Sequence, residues 1–149
     1  EPAMSELSDR YPVETLPEDD DDGTMPENVA QLSDAVIGRR IVSAVKEEVP
    51  ESGYGIGGHR LVLTLDDGRR VMLTDTYDCC ASTELDEFLL HPEAVDHAIL
   101  GVGTTDGYTT WHIFADFGDV MKLTVGWSCG NPFYYGYGFD ITVEDLPHA

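Results

Sequence analysis

Three cysteines, Cys79, Cys80 and Cys129, and five histidines are the side chains best suited to nucleophilic or metal chemistry in this chain of 149 residues. With Asp75 and Asp78 close by, the adjacent thiols of Cys79 and Cys80 invite a zinc reading. Zinc sites usually pair ligands two to four residues apart, and the chain has no Cys-x-x-Cys or His-x-x-x-His. Adjacent side chains on an extended strand point to opposite faces, so at most one of the two thiols would address a given site. Neighbouring cysteines bridge each other only through a strained eight-membered ring. The expectation is therefore free thiols in a reducing compartment, acting as small buried apolar side chains. Cys79 or Cys80 with His112 as base would make a thiol enzyme, but no nucleophile-elbow, caspase-like or papain-like signature surrounds either cysteine. His112 is expected mid-strand, opposite the face of Trp111, where a satisfied or exposed histidine is the ordinary finding. No catalytic residue, cofactor or metal is assigned.

Other polar clusters carry weaker signals. Gly53-Tyr54-Gly55-Ile56-Gly57-Gly58 superficially resembles a phosphate loop, but such loops open a helix and this one runs into a strand. A flexible hairpin loop is the expectation. Asp78, Glu84, Asp86 and Glu87 gather near the start of an expected helix, whose dipole accounts for several of them. The run Asp19-Asp20-Asp21-Asp22 lacks the glycine turn and the terminal bidentate glutamate of a calcium loop.

Binding to a protein partner is better supported. Phe133-Tyr134-Tyr135-Gly136-Tyr137 holds more aromatic rings than one strand face can bury. With Tyr135 and Tyr137 turned inward, Tyr134 stands outward and Phe133 lies in the preceding loop. Exposed aromatics on an acidic rim describe a partner-binding patch. Asp19, Asp20, Asp21 and Asp22 form the second candidate surface. The chain has 29 acidic and 8 basic residues, a formal net charge of −21. Residues 71–149 hold thirteen acids and a single base, Lys122. Such a chain repels nucleic acid, which proteins grip through Lys and Arg on phosphates, and anionic membrane for the same reason. A basic protein surface is the natural partner. No apolar run approaches the roughly 20 residues that cross a bilayer, and the cytoplasm is the expected location.

These residues need a scaffold. Four prolines and the aspartate run mark residues 1–33 as an acidic, disordered tail, leaving 34–149 as one domain. Its expected class is α+β: a mainly antiparallel, curled sheet of six or seven strands with one short helical segment. Strand signals cover Ile41 to Lys46, Leu61 to Leu65, Val71 to Thr74, Ala98 to Val102, Trp111 to Ala115, Met121 to Trp127 and Tyr137 to Val143. In the last of these Tyr137, Phe139, Ile141 and Val143 share one face. Asp66-Asp67-Gly68 is the clearest hairpin turn. Thr83 to Leu90 reads as the helix, capped by Ser82 or Thr83 and ended by Pro92. The bulky residues from Trp111 to Phe139, Phe117 among them, are expected to build the core.

Several pieces recur in an order that resembles a known but uncharacterised family. They are Ile37-Gly38-Arg39-Arg40-Ile41, Leu65-Asp66-Asp67-Gly68, Asp78-Cys79-Cys80, Thr110-Trp111-His112-Ile113-Phe114, and Trp127 followed by Asn131 and Tyr134-Tyr135. The family comprises small domains of bacteriophages and some bacteria, and the likeness spans about residues 37–143. The chain departs from the pattern at Asn131-Pro132-Phe133, where Asn is normally followed by Gly. The resemblance implies a phage-type protein with no established activity and no catalytic residues to carry over. The leading expectation is a non-enzymatic acidic binding protein, a DNA mimic of the anti-restriction type being its concrete form, engaging a basic host or phage protein. A minor virion or assembly component that forms homo-oligomers is the alternative. A thiol or metal-dependent enzyme is the second.

Overall fold

The computed structural model describes residues 11–49, 58–131 and 133–145. The glycine loop's Gly53 to Gly57 and the first ten residues of the expected tail lie outside the described residues. The elements run α1 (Thr24–Val36), β1 (Ile41–Val49), β2 (Gly58–Leu65), β3 (Arg70–Thr74), β4 (Thr76–Asp78), β5 (Ala81–Leu90), a 3₁₀ turn (Pro92–Ala94), β6 (Gly101–Thr105), β7 (Thr110–Ala115), β8 (Gly118–Ser128) and β9 (Asp140–Glu144). The class is α+β, and every described pairing is antiparallel. In place of one curled sheet of six or seven strands there are two, ordered β1-β2-β3-β9 and β4-β5-β8-β7-β6.

Both sheets face one core. Leu61, Leu63, Leu65, Val71 and Leu73 enter it from the first sheet, and Leu85, Trp111, Ile113, Met121, Leu123 and Val125 from the second. The alternation of these positions follows the two-residue period of a strand with one buried face. At the Asp66-Asp67-Gly68 hairpin, Gly68 N–H donates to Leu65 C=O at 2.9 Å, and Gly68 takes φ 88°, which glycine adopts without a Cβ clash.

The expected helix from Thr83 to Leu90 is a strand instead. Ala81, Thr83 and Leu85 are buried, a register shift between Leu85 and Glu87 inserts an extra residue, and Phe88 and Leu90 then pack against the core. The bulge switches which parity of residues faces inward. The Leu85, Phe88, Leu89 spacing thus imitates a helical stripe, although Leu89 is exposed. At the next hairpin Ala115 pairs Gly118, so Asp116 and Phe117 make the turn, and Phe117 is exposed rather than in the core.

Residues 11–33 are not a free tail. Met25, Val29, Leu32 and Val36 are buried along one side of α1, the i, i+4, i+7, i+11 stripe of an amphipathic helix, and α1 packs against β6 and β9, an edge strand of each sheet. The boundary expected before residue 34 falls inside this helix. Ahead of it the chain straps β6. Thr104 N–H donates to Pro12 C=O at 2.6 Å, and the Tyr11 ring stacks on Phe114 at 4.5 Å. A Cβ at Gly103 would sit 2.3 Å from the Tyr11 carbonyl oxygen, so only glycine lets the strap lie this close. The strap covers a sheet edge that would otherwise offer unpaired backbone groups. It is anchored at the β6–β7 turn, where Asp106, Gly107 and Tyr108 all take positive φ. Successive left-handed residues aim their N–H groups at one point, and the Glu14 carboxylate fills it, accepting from Gly107 at 2.9 Å and Tyr108 at 2.8 Å.

Candidate protein-binding site

The segment between β8 and β9 is held by side chains rather than by a strand ladder. Gly136 N–H donates to Asp78 Oδ2 at 2.6 Å, Gly138 N–H to Thr83 Oγ1 at 2.7 Å, and Thr76 Oγ1 to Gly138 C=O at 2.7 Å. Asn28, from α1, clasps Phe139 with its side-chain amide, donating to its C=O and accepting its N–H, both at 2.9 Å. Tyr137 and Phe139 are buried as expected, but Val143, expected on the same inward face, is exposed.

Tyr137 joins both ends of the chain. Its ring stacks on Trp127 at 5.8 Å, and its hydroxyl accepts Asp22 N–H at 3.0 Å. The same hydroxyl lies 2.6 Å from Asp21 Oδ1 and 2.9 Å from Asp22 Oδ1, with its proton available to either carboxylate. Burial pushes the Tyr137 hydroxyl well above the ordinary phenol range, and the Asp21 bond adds to that. Asp21 Oδ1 also accepts Met25 N–H at 3.1 Å, and Asp22 Oδ1 accepts Thr24 N–H and Oγ1–H. These carboxylates cap the first turn of α1, whose own N-cap, Gly23, has no side chain to do so. The Thr24 hydroxyl holds the Asp22 carboxyl below its usual range. The aspartate run is therefore divided: Asp19 and Asp20 face solvent, whereas Asp21 is 4% exposed and Asp22 is committed to Thr24 and Tyr137.

Between β4 and the 136–140 segment lies a groove of about 290 Å³, lined by Asp75, Thr76, Tyr77, Asp78, Gly136, Tyr137, Gly138 and Asp140. All its charged lining residues are aspartates. Asp75, 1% exposed, is its fixed base: Oδ1 accepts Leu85 N–H of β5 at 3.0 Å and Oδ2 accepts His59 N–H of β2 at 3.2 Å, tying the two sheets together. Burial pushes its carboxyl above the ordinary range, the two N–H groups opposing. The turn leading into the groove leaves Phe133 73% and Tyr134 75% exposed, as expected, while Tyr135 is half-buried with its ring edge-on to Tyr134 at 4.9 Å. Asn131 C=O accepts Tyr134 N–H at 2.9 Å and Tyr135 N–H at 3.2 Å, which shapes the turn. Four of the described arginines are engaged elsewhere: Arg60, Arg69 and Arg70 pair with Glu47, Asp67 and Glu144, and Arg39 lies 3.8 Å from Asp67.

The cysteines are not the buried thiols expected. Cys79 and Cys80 form the exposed two-residue turn between β4 and β5, and Cys129 is half-buried at a different groove, beside Trp127. His112 is satisfied within its sheet, 3.0 Å from Asp119 Oδ1 of β8 through Nδ1 and 3.0 Å from Thr105 Oγ1 of β6 through Nε2. This Asp–His–Thr chain, with the Tyr11 ring 5.5 Å from the imidazole, has the connectivity of an orienter, base and hydroxyl. Sequence reasoning missed it because the three residues meet only through strand register.

The scaffold is thus a two-sheet antiparallel α+β domain, strapped by its own N-terminal segment and carrying a groove lined by aspartates and, in the preceding turn, two exposed aromatic rings. The chain belongs to the family described as Domain of unknown function (DUF7448), whose model matches residues 34–141, from within α1 to within β9. No curated protein and no solved structure matches it. No described helix is long and apolar enough to cross a membrane.

Proposed function

We propose that this protein is a non-enzymatic binding module that engages a basic protein surface through Phe133, Tyr134 and the adjoining aspartate groove. The observation that carries this is the pair of rings about three-quarters exposed in the turn that leads into a groove lined by the carboxylates of Asp78 and Asp140. Rigid aromatics give contact area at low conformational cost and form the anchors of interfaces, while carboxylates select an Arg- or Lys-bearing partner and speed its approach. In the phage-type setting implied by the motif progression, that partner is a basic host or phage protein. A mimic of DNA is the concrete version, with carboxylates standing in for phosphates spaced about 1.7 Å apart along the duplex axis.

The test is capture of a partner by the full chain, by Phe133→Ala/Tyr134→Ala and by Asp78→Asn/Asp140→Asn, at low and high salt. One partner held by the wild type, lost with the aromatic pair and released by salt is the expected result. Capture that ignores both salt and the aromatic pair would refute the reading. If light scattering instead finds a stable homo-oligomer broken by Phe133→Ala/Tyr134→Ala, the virion or assembly role takes its place.

A second reading, catalysis, is favoured by the Asp119–His112–Thr105 chain, in which the imidazole can take the Thr105 proton while Asp119 steadies it. Covalent labelling by a fluorophosphonate that Thr105→Ala and His112→Ala abolish would support it, and an unlabelled, folded wild type would remove it.

A further inference from the structure

Cys79 and Cys80 stand apart from the groove chemistry and pose a separate question. They occupy the two turn positions between the paired residues Asp78 and Ala81, and both side chains are exposed. Cys79 takes φ 52°, a left-handed conformation that L side chains adopt rarely and at some cost in strain. On an extended strand the two thiols would point apart. This backbone instead brings their sulfurs to 3.1 Å. Tyr135 reaches the same pair, and hydrogen bonding first to Cys79 and then to Cys80 pushes its phenol up to about 12. Cys129 is engaged elsewhere, lining the groove beside Trp127.

We propose that Cys79 and Cys80 form a dithiol site for one soft, thiophilic centre, a trivalent arsenical, held between the two sulfurs. The distances favour a bridging atom over a disulfide. A disulfide needs the sulfurs to close to about 2.05 Å, and consecutive Cα atoms, about 3.8 Å apart, lie inside the 4.4 Å lower limit of relaxed disulfides. A central atom with bonds of about 2.3 Å spans the observed 3.1 Å at an angle of roughly 85°, so the pair binds without closing. Among the described residues no group of three or more His, Cys, Asp or Glu side chains is placed to hold a metal ion, which disfavours a closed four-ligand zinc site. Two thiolates suit a centre content with few, soft ligands. With an arsenical the chemistry is a condensation: the arsenic(III) oxide and two S–H groups give two As–S bonds and one water, with no change of oxidation state.

The probe is phenylarsine oxide added to reduced full-length protein, read by intact mass. One adduct with loss of one water is expected, resistant to millimolar glutathione and stripped by dithiothreitol. The second As–S bond forms within the molecule, so Cys79→Ser and Cys80→Ser should each weaken binding at least about 100-fold. Cys129→Ser should leave the adduct intact. Each serine variant is checked for an unchanged melting temperature, the expected result for an exposed turn. No adduct on wild type whose thiols titrate as free would overturn the proposal, as would an adduct that survives either single serine. Both results are independent of protein-partner capture.

Discussion

Two stretches with obvious binding character, the aspartates at 19–22 and the aromatics at 133–137, are each divided by the fold, for different physical reasons. Asp19 and Asp20 face solvent, while Asp21 and Asp22 cap a helix and clamp Tyr137. Half of the aromatic one is left outside, with Phe133 and Tyr134 in solvent while Tyr137 is buried. Charge is not a guide to availability when backbone N–H groups at a helix start need acceptors. Ring size is not a guide to burial when a turn carries more rings than its neighbours can cover. The division predicts that substitutions at Asp21 and Asp22 will injure the fold and that substitutions in the exposed rings will not.

The largest effect should come from Asp21→Ala. It strips the acceptor from Met25 N–H, a buried donor whose loss costs about 1–3 kcal/mol, and leaves the Tyr137 hydroxyl with Asp22 Oδ1 alone. A loss of about 2–3 kcal/mol in urea unfolding is expected, and a double-mutant cycle with Tyr137→Phe should show coupling of about 1 kcal/mol. Destabilisation under 0.5 kcal/mol would place Asp21 with the free surface acids.

Asp75→Asn comes next, at about 1–2 kcal/mol, because its NH2 group replaces one of the two accepting oxygens and then faces the N–H of Leu85 or His59. Its pH signature separates it from Asp22. The folded-state value for Asp75 is raised, so its contribution to stability is fully present below the unfolded carboxylate value and is lost as pH climbs through the folded one. Asp22 is lowered, so its contribution is present above the unfolded value and is lost only as pH falls through the folded one. Unfolding midpoints measured upward from pH 3.8 should fall less in Asp75→Asn than in the wild type, and parallel profiles would refute the assignment.

Much of the sheet was legible because its physics is local. The alternation in β2, β7 and β8 needs only a two-residue period, and Asp66-Asp67-Gly68 only a residue tolerant of positive φ. What was misread depends on distant partners. The β5 bulge is a property of its pairing with β8, and without that partner Leu85, Phe88 and Leu89 spell a helical stripe. The real helix was cut in two by reading the acidic composition up to residue 33 as tail, although Met25, Val29, Leu32 and Val36 already carry its period. At the candidate site the exposed rings could be found because Phe133 to Tyr137 carries more rings than one face can bury, although the segment is a turn and not a strand. The clamp could not, because Tyr137 and Asp21 stand 116 residues apart.

A smaller effect is expected at the strap. Glu14→Gln keeps the shape but removes the charge from the anion nest made by Gly107 and Tyr108 N–H groups. The site is half-exposed, so a loss of about 1 kcal/mol is expected. Faster amide exchange at Tyr108 and Thr104 is the local readout, since both N–H groups are covered by strap residues. Global destabilisation without faster exchange there would mean that Glu14 does not anchor the strap.

The smallest effect sharpens the comparison most. Phe133→Ala/Tyr134→Ala removes two large rings, yet neither is buried, and in the domain core such truncations would cost about 3–5 kcal/mol each. At these two positions the change in unfolding free energy should stay within about 0.5 kcal/mol, as for substitutions away from packed features. Among the described residues, the Tyr134–Tyr135 edge contact is the ring contact at stake, and Tyr135 keeps its hydrogen bonding to Cys79 and Cys80 without it. A loss above 1 kcal/mol would mean that the rings pack onto the domain in solution and are not free for a partner. An unchanged domain that no longer captures its partner would locate the interface in the rings, because nothing in the fold then needs them.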